Sequence, residues 1–200
     1  LGGIAFGLGL QAKYAMFYLL LCAGVAALLS KDARKVVLSG RGFAILVTGL
    51  LLLLPNVLWN AAHHFPTVAH TEHNADWSAA KYSVSETLSF IGGQFGVFGP
   101  VLMAGLLIAF WQLGRGPERS SKSLVLAAFC APPLVLIVIQ SFISEANANW
   151  AATAYVAAVP LAVAALAGLW KSRLLWLSFA IDGLTMVVLW LILLSPSFAD

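Results

Sequence analysis

His63, His64, His70 and His73, all of the chain's histidines, fall in one polar segment, residues 60–86. Glu72, Asn74, Asp76, Trp77, Lys81 and Tyr82 share it. Imidazole nitrogens and carboxylates are donors that zinc and manganese accept. That makes His63, His70, His73 and Asp76 candidate metal ligands, and a divalent metal the one cofactor these donors suggest. Their spacing matches no strict signature such as His-Glu-x-x-His on one helix. The same groups can hydrogen-bond a hydroxylated or phosphorylated substrate, so His63, His70, Glu72 and Asn74 are also candidate substrate contacts. A hydrated loop with local capping is the third reading. The residues alone leave all three open.

Lys13 and Tyr14 form a second candidate. Lys13 follows an uncharged apolar stretch, residues 1–12, and precedes another. Charge near hydrocarbon is costly, about 2.5–3.5 kcal/mol at mid-membrane. A lysine at the interface escapes part of that by extending its ammonium to water. It is then either an anchor or a cation facing a lipid phosphate, with the Tyr14 hydroxyl adding a hydrogen bond. A third candidate is the polar turn at residues 144–150. Glu145, Asn147 and Asn149 can hold sugar hydroxyls, and Trp150 can stack on a sugar face. Asparagine and tryptophan are equally ordinary in turns and at interfaces. Asp182 stands alone in an apolar run, where an ionisable residue is by default a functional hypothesis. The structural reading pairs it with Gln140 or Thr185 and lets Gly183 mark a helix break.

The elements that must position these groups are membrane spans. The chain has 200 residues, 61% hydrophobic and 10% charged, with mean hydropathy +0.93. Soluble domains average roughly 45–50% apolar and about 25% charged residues. That excludes a soluble domain, a disordered tail and a disulfide scaffold. Cys22 and Cys130 sit in apolar runs and read as buried thiols. At about 20 residues per crossing helix, residues 14–29, 42–59, 87–113, 123–143, 150–170 and 174–194 read as spans. Residues 1–12 are too short to cross alone. The fold class is therefore all-α, a polytopic transmembrane helix bundle forming one domain over 1–200. Both ends enter apolar sequence directly, so the chain reads as an internal piece of a larger membrane protein. Gly92-Gly93-Gln94, Gly96, Gly99 and Pro100 predict an irregular third span, and Pro132-Pro133 a second irregularity. Broken helix at membrane depth needs protein or water beside it, so a cavity opening to the outer face is expected.

Charge sets the orientation. Nine of the 11 Lys and Arg residues fall in three connections: Lys31, Arg34, Lys35 and Arg41; Arg115, Arg119 and Lys122; Lys171 and Arg173. Alternating spans put these three on one side, the cytoplasm. The other side holds 60–86, 144–149 and 195–200, where Glu72, Asp76, Glu86, Glu145 and Asp200 face only Lys81. The net charge of +3 is thus a feature of topology, not of a nucleic-acid partner. Trp59, Trp111, Trp150, Trp170, Trp176 and Trp190 lie near span ends, as interface anchors do.

Four stretches carry a resemblance. Gly7-Leu8-Gly9-Leu10-Gln11-Ala12-Lys13-Tyr14 and Pro55-Asn56-Val57-Leu58-Trp59-Asn60-Ala61-Ala62-His63 are the first two. Ile91-Gly92-Gly93-Gln94-Phe95-Gly96 and Glu145-Ala146-Asn147-Ala148-Asn149-Trp150, with Tyr155 after it, are the others. In this order they resemble the polyprenyl-phosphate-sugar-dependent glycosyltransferases of the dolichyl-phosphate-mannose–protein mannosyltransferase superfamily, which have the GT-C fold. Its bacterial members include enzymes that modify lipopolysaccharide.

The resemblance implies an inverting glycosyltransferase of the bacterial inner membrane, with loop 60–86 facing the periplasm. A hexose or pentose would pass from a polyprenyl phosphate to lipid A, lipopolysaccharide or protein. Membrane lipids are the surrounding partners. The family's catalytic carboxylate is expected in an outer loop upstream of residue 1. No base is therefore assigned within 1–200, and this part alone is expected to be inactive. Two other readings compete. One is a transporter or permease subunit built on Asp182, and the other a non-catalytic scaffold.

Overall fold

A computed structural model describes residues 1–75, 82–115, 120–170 and 173–194. Among them every regular element is a helix, and the chain is an all-α polytopic membrane bundle. In hydrocarbon each backbone N–H and C=O must find a partner within its own segment, which helices provide. Four helices are long and apolar enough to cross: Gly40–Ala62, Ser121–Ile143, Ala148–Gly168 and Arg173–Ile192.

The elements run in the order α1 (Gly2–Ala12), α2 (Tyr18–Leu29), α3 (Lys31–Val37), α4 (Gly40–Ala62) and α5 (Pro66–Ala75). After them come α6 (Val84–Phe98), α7 (Pro100–Arg115), α8 (Ser121–Ile143), α9 (Ala152–Trp170) and α10 (Arg173–Leu194). α1 lies alongside α4 at close range. A Cβ on Gly7 would come 2.6 Å from Leu52 Cβ, and one on Gly49 would come 2.2 Å from the Phe6 ring. Small residues let helix backbones approach where water gives no drive to associate. α7, α8 and α9 enclose the largest apolar cluster, with Leu106, Cys130, Ala154, Ala158 and Ala162 fully or almost fully buried.

Several sequence expectations change. Residues 14–29 form one short apolar helix that opens with a 3-10 turn, Tyr14–Phe17, and continues as α2. The stretch 87–113 is not one straight span: α6 and α7 meet at 111°. Gly99 makes the elbow with φ +88°, a region glycine enters without a Cβ penalty, and Pro100 starts α7 without needing an N–H partner. Gly92, Gly93 and Gly96 lie inside α6, and Gly105 inside α7. α8 runs unbroken through Pro132 and Pro133. Pro133 leaves the Phe129 carbonyl without its helical donor, and the Cys22 thiol of α2 reaches that oxygen at 3.7 Å. Gly183 breaks nothing, because α10 is continuous. Within 60–86 the chain is not simply a loop, since α5 occupies its first half.

Two of the basic connections meet. Ser30 Oγ lies 2.7 Å from Ser121 Oγ, which places the turn before α3 against the start of α8. The polar connections meet at the other end. Ser83 N donates to Phe142 O at 2.9 Å, so the entry to α6 closes over the last turn of α8.

Candidate functional site

α1 ends where Lys13 turns to extended backbone, φ −160° and ψ 129°. Lys13 is exposed and Tyr14 half-buried. The Tyr14 hydroxyl donates to Asn56 Oδ1 on α4. Asn60 Nδ2, one turn on, donates to the same oxygen at 3.1 Å and to Asn56 O at 3.0 Å. Asn60 Oδ1 then accepts from Thr67 N at 3.1 Å, near the start of α5. Asn60 is only 2% exposed, yet both its nitrogen and its oxygen are engaged. A buried amide left unpaired costs more than a made bond contributes, so this ladder fixes the end of α1, the end of α4 and the start of α5 together.

The turn between α4 and α5 is strained. His64 and Phe65 have φ of 61° and 56°, unusual for residues with a Cβ. Asn60 O accepts from Phe65 N at 2.7 Å and holds the turn closed. His63 stacks on Trp59 with ring centroids 4.4 Å apart. Its Nδ1 lies 2.8 Å from Trp59 O. A carbonyl only accepts, so Nδ1 carries the proton and Nε2 is the acceptor of the neutral ring. His63, His64, His70, Glu72 and His73 are all exposed. Asn74 lies near the end of α5. Among the described residues no three His, Cys, Asp or Glu side chains gather as a metal site would require. Asp76 lies outside the described residues.

A second polar joint lies between α6, the 144–150 turn and α9. Tyr155 donates its hydroxyl to Gln94 Oε1. Gln94 Nε2 donates to Phe90 O at 3.0 Å and Ala148 O at 3.2 Å. Phe98 stacks on Tyr155 at 4.2 Å between centroids. Glu145, Asn147 and Asn149 are exposed on the turn. Trp150 is half-buried and packs against the cluster of Phe90, Ile137 and Ala151. Gln140 Nε2 donates to Ala75 O at 2.8 Å and to Glu145 O at 3.4 Å. That side chain ties the end of α5 to the turn, and with Tyr18 packed on the Phe90 cluster it links the two joints.

Asp182 finds neither Gln140 nor Thr185. Ser178 Oγ of its own helix donates to Asp182 Oδ2 at 3.0 Å. The carboxylate rests against the elbow, where a Cβ on Gly99 would come 2.5 Å from Oδ1.

Over 183 residues, 91% of this chain, the sequence is 36% identical to the lipid A galacturonosyltransferase RgtD of Rhizobium johnstonii. The chain is similar to a lipid A sugar transferase. It spans 38% of that relative's length. No family model matches, and no solved structure matches.

The first two sequence motifs meet through Tyr14 and Asn56, and the last two through Gln94, Ala148 and Tyr155. Sequence reasoning passed over Asn56, Asn60, Gln94, Gln140 and Tyr155 as site residues. The signal for two of them was present: Asn56 and Asn60 are polar, four apart and on an otherwise apolar helix, so they share a face.

Proposed function

We propose that this chain is part of the membrane core of a GT-C glycosyltransferase. It would move a sugar from a polyprenyl phosphate onto a lipid A-type acceptor at the outer face of a bacterial inner membrane. The observation that carries the reading is the similarity to RgtD over 91% of the chain.

The residues fit the task. An acceptor oxygen attacks the anomeric carbon with inversion, and the lipid phosphate leaves. Negative charge grows on that phosphate, and a fixed cation lowers the barrier. Lys13 is exposed at the end of α1 and is assigned this role. Tyr14 holds the break beside it through Asn56. Glu145, Asn147 and Asn149 suit sugar hydroxyls, and His63, His70 and Glu72 are assigned to the acceptor. Asn74 is placed with them by its position on α5. The proton acceptor is assigned to a part of the protein outside residues 1–200.

The test uses the full-length protein in membranes with a lipid-linked galacturonate donor and lipid A, with products read by mass spectrometry. Lys13→Ala lowers turnover at least tenfold, about 1.4 kcal/mol of transition-state stabilisation. Asp182→Asn leaves it within a few-fold. If Asp182→Asn abolishes function while Lys13→Ala, Glu145→Gln and His63→Ala leave it intact, transport replaces transfer as the reading.

A further inference from the structure

The end of the bundle opposite the polar joints carries a second surface, unrelated to the proposed reaction. α3 joins α2 to α4 there. Ser30 caps it, accepting from Ala33 N at 3.3 Å. Arg34 does not face solvent freely. Its Nε donates to Ala27 O at 2.8 Å and its second terminal nitrogen to Leu28 O at 3.3 Å. These are last-turn carbonyls of α2, which want cationic donors. Arg34 thereby pins α3 to α2. Ser30 and Ser121 pin it to α8, and Ser121 Oγ also donates to Asp32 Oδ2 at 3.3 Å. Asp32, the one acid of the group among the described residues, is therefore engaged by a hydroxyl.

What remains outward is cationic and apolar together. Lys31, Lys35, Arg41 and Lys122 are exposed, around a helix held on two sides. Val36 and Leu38 on the same connection are 67% and 77% exposed. A water-soluble partner would leave those side chains wet or need a matching apolar patch. A bilayer satisfies both at once, with acyl chains for Val36 and Leu38 and phosphodiesters for the cations. Topology alone accounts for basic residues on this side, but not for their being fixed beside outward apolar side chains by Arg34 and the serine clasp.

We infer that α3 and the start of α8 form a preorganised binding surface for anionic phospholipid headgroups. The cations are Lys31, Lys35, Arg41 and Lys122, and Val36 and Leu38 are seated in the acyl region. Rigid placement lowers the ordering cost of each contact.

The full-length protein in a neutral detergent is offered mixed phosphatidylglycerol and phosphatidylcholine, and retained lipid is counted by native mass spectrometry. Phosphatidylglycerol is expected in excess, falling as sodium chloride rises from low to high ionic strength. Neutralising Lys31, Lys35, Arg41 and Lys122 to Gln lowers its retention about fivefold per charge removed. Because such a variant can insert wrongly, Arg34→Gln is the second probe: it keeps the outward cations, loosens α3, and lowers retention several-fold. Equal retention of the two lipids overturns the proposal. So does salt-independent retention, or loss of the preference when inorganic phosphate is added at the same phosphate concentration, which would mark a free-phosphate site.

Discussion

The thiol of Cys22 fills a vacancy made by Pro133. It lies 3.7 Å from the Phe129 carbonyl oxygen, the acceptor that α8 loses because proline has no N–H. A neighbouring helix thus supplies the missing donor, one way proline is tolerated at membrane depth.

Cys22→Ala is expected to lower thermal stability in detergent, by about 1 kcal/mol for the lost bond plus the packing lost at a buried position. Cys22→Ser keeps a donor and loses less. Equal losses in a thermal-shift assay would show that the sulfur only fills space.

Gly99→Ala meets two obstacles: a φ of +88° and the Asp182 carboxylate 2.5 Å from the new methyl. Destabilisation on the order of 1–3 kcal/mol follows from the backbone alone. Asp182→Ala in the same chain relieves the contact but not the dihedral. A double-mutant cycle should therefore show partial rescue, and full rescue would mean that the elbow tolerates a Cβ.

Gln94 and Tyr155 should be strongly coupled. Tyr155→Phe removes the donor to a buried amide oxygen, costing roughly 1–3 kcal/mol. Gln94→Leu removes the acceptor for Tyr155 and the donor to Ala148 O of the turn. The double variant is then expected to cost less than the sum. Additive losses would place the two side chains in separate interactions.

Asn60→Ala removes the acceptor for Thr67 N and two bonds to Asn56. A lost cap of this kind costs about 0.5–2 kcal/mol. The effect should be local, seen as faster amide exchange over residues 63–75 with little change in α9. Uniform exchange across the protein would disprove the local role.

The helices themselves were legible, because long apolar runs admit few structures in a membrane. The elbow was half legible: Gly99-Pro100 announced a break, but the run of glycines before it did not say which one bends. Pro132-Pro133 pointed the wrong way, since only a donor from α2, distant in sequence, decides whether a proline pair interrupts a helix. Lys13 stood out by charge. Asn60 and Gln94 did not, because an amide becomes informative only when its burial and partners are known. Nor does the sequence show that the Tyr14 hydroxyl proton goes to Asn56, a contact 42 residues away.

The elbow at Gly99 also bears on bilayer thickness. As one straight rod, the 15 residues of α6 and the 16 of α7 would reach about 45 Å, against a hydrocarbon core of about 30 Å. With the 111° bend the two helices no longer add along one line, and α7 by itself reaches about 24 Å. A straight pair would overshoot the core by about 15 Å; bent, its two arms differ in direction by 111° and cannot both lie along one crossing.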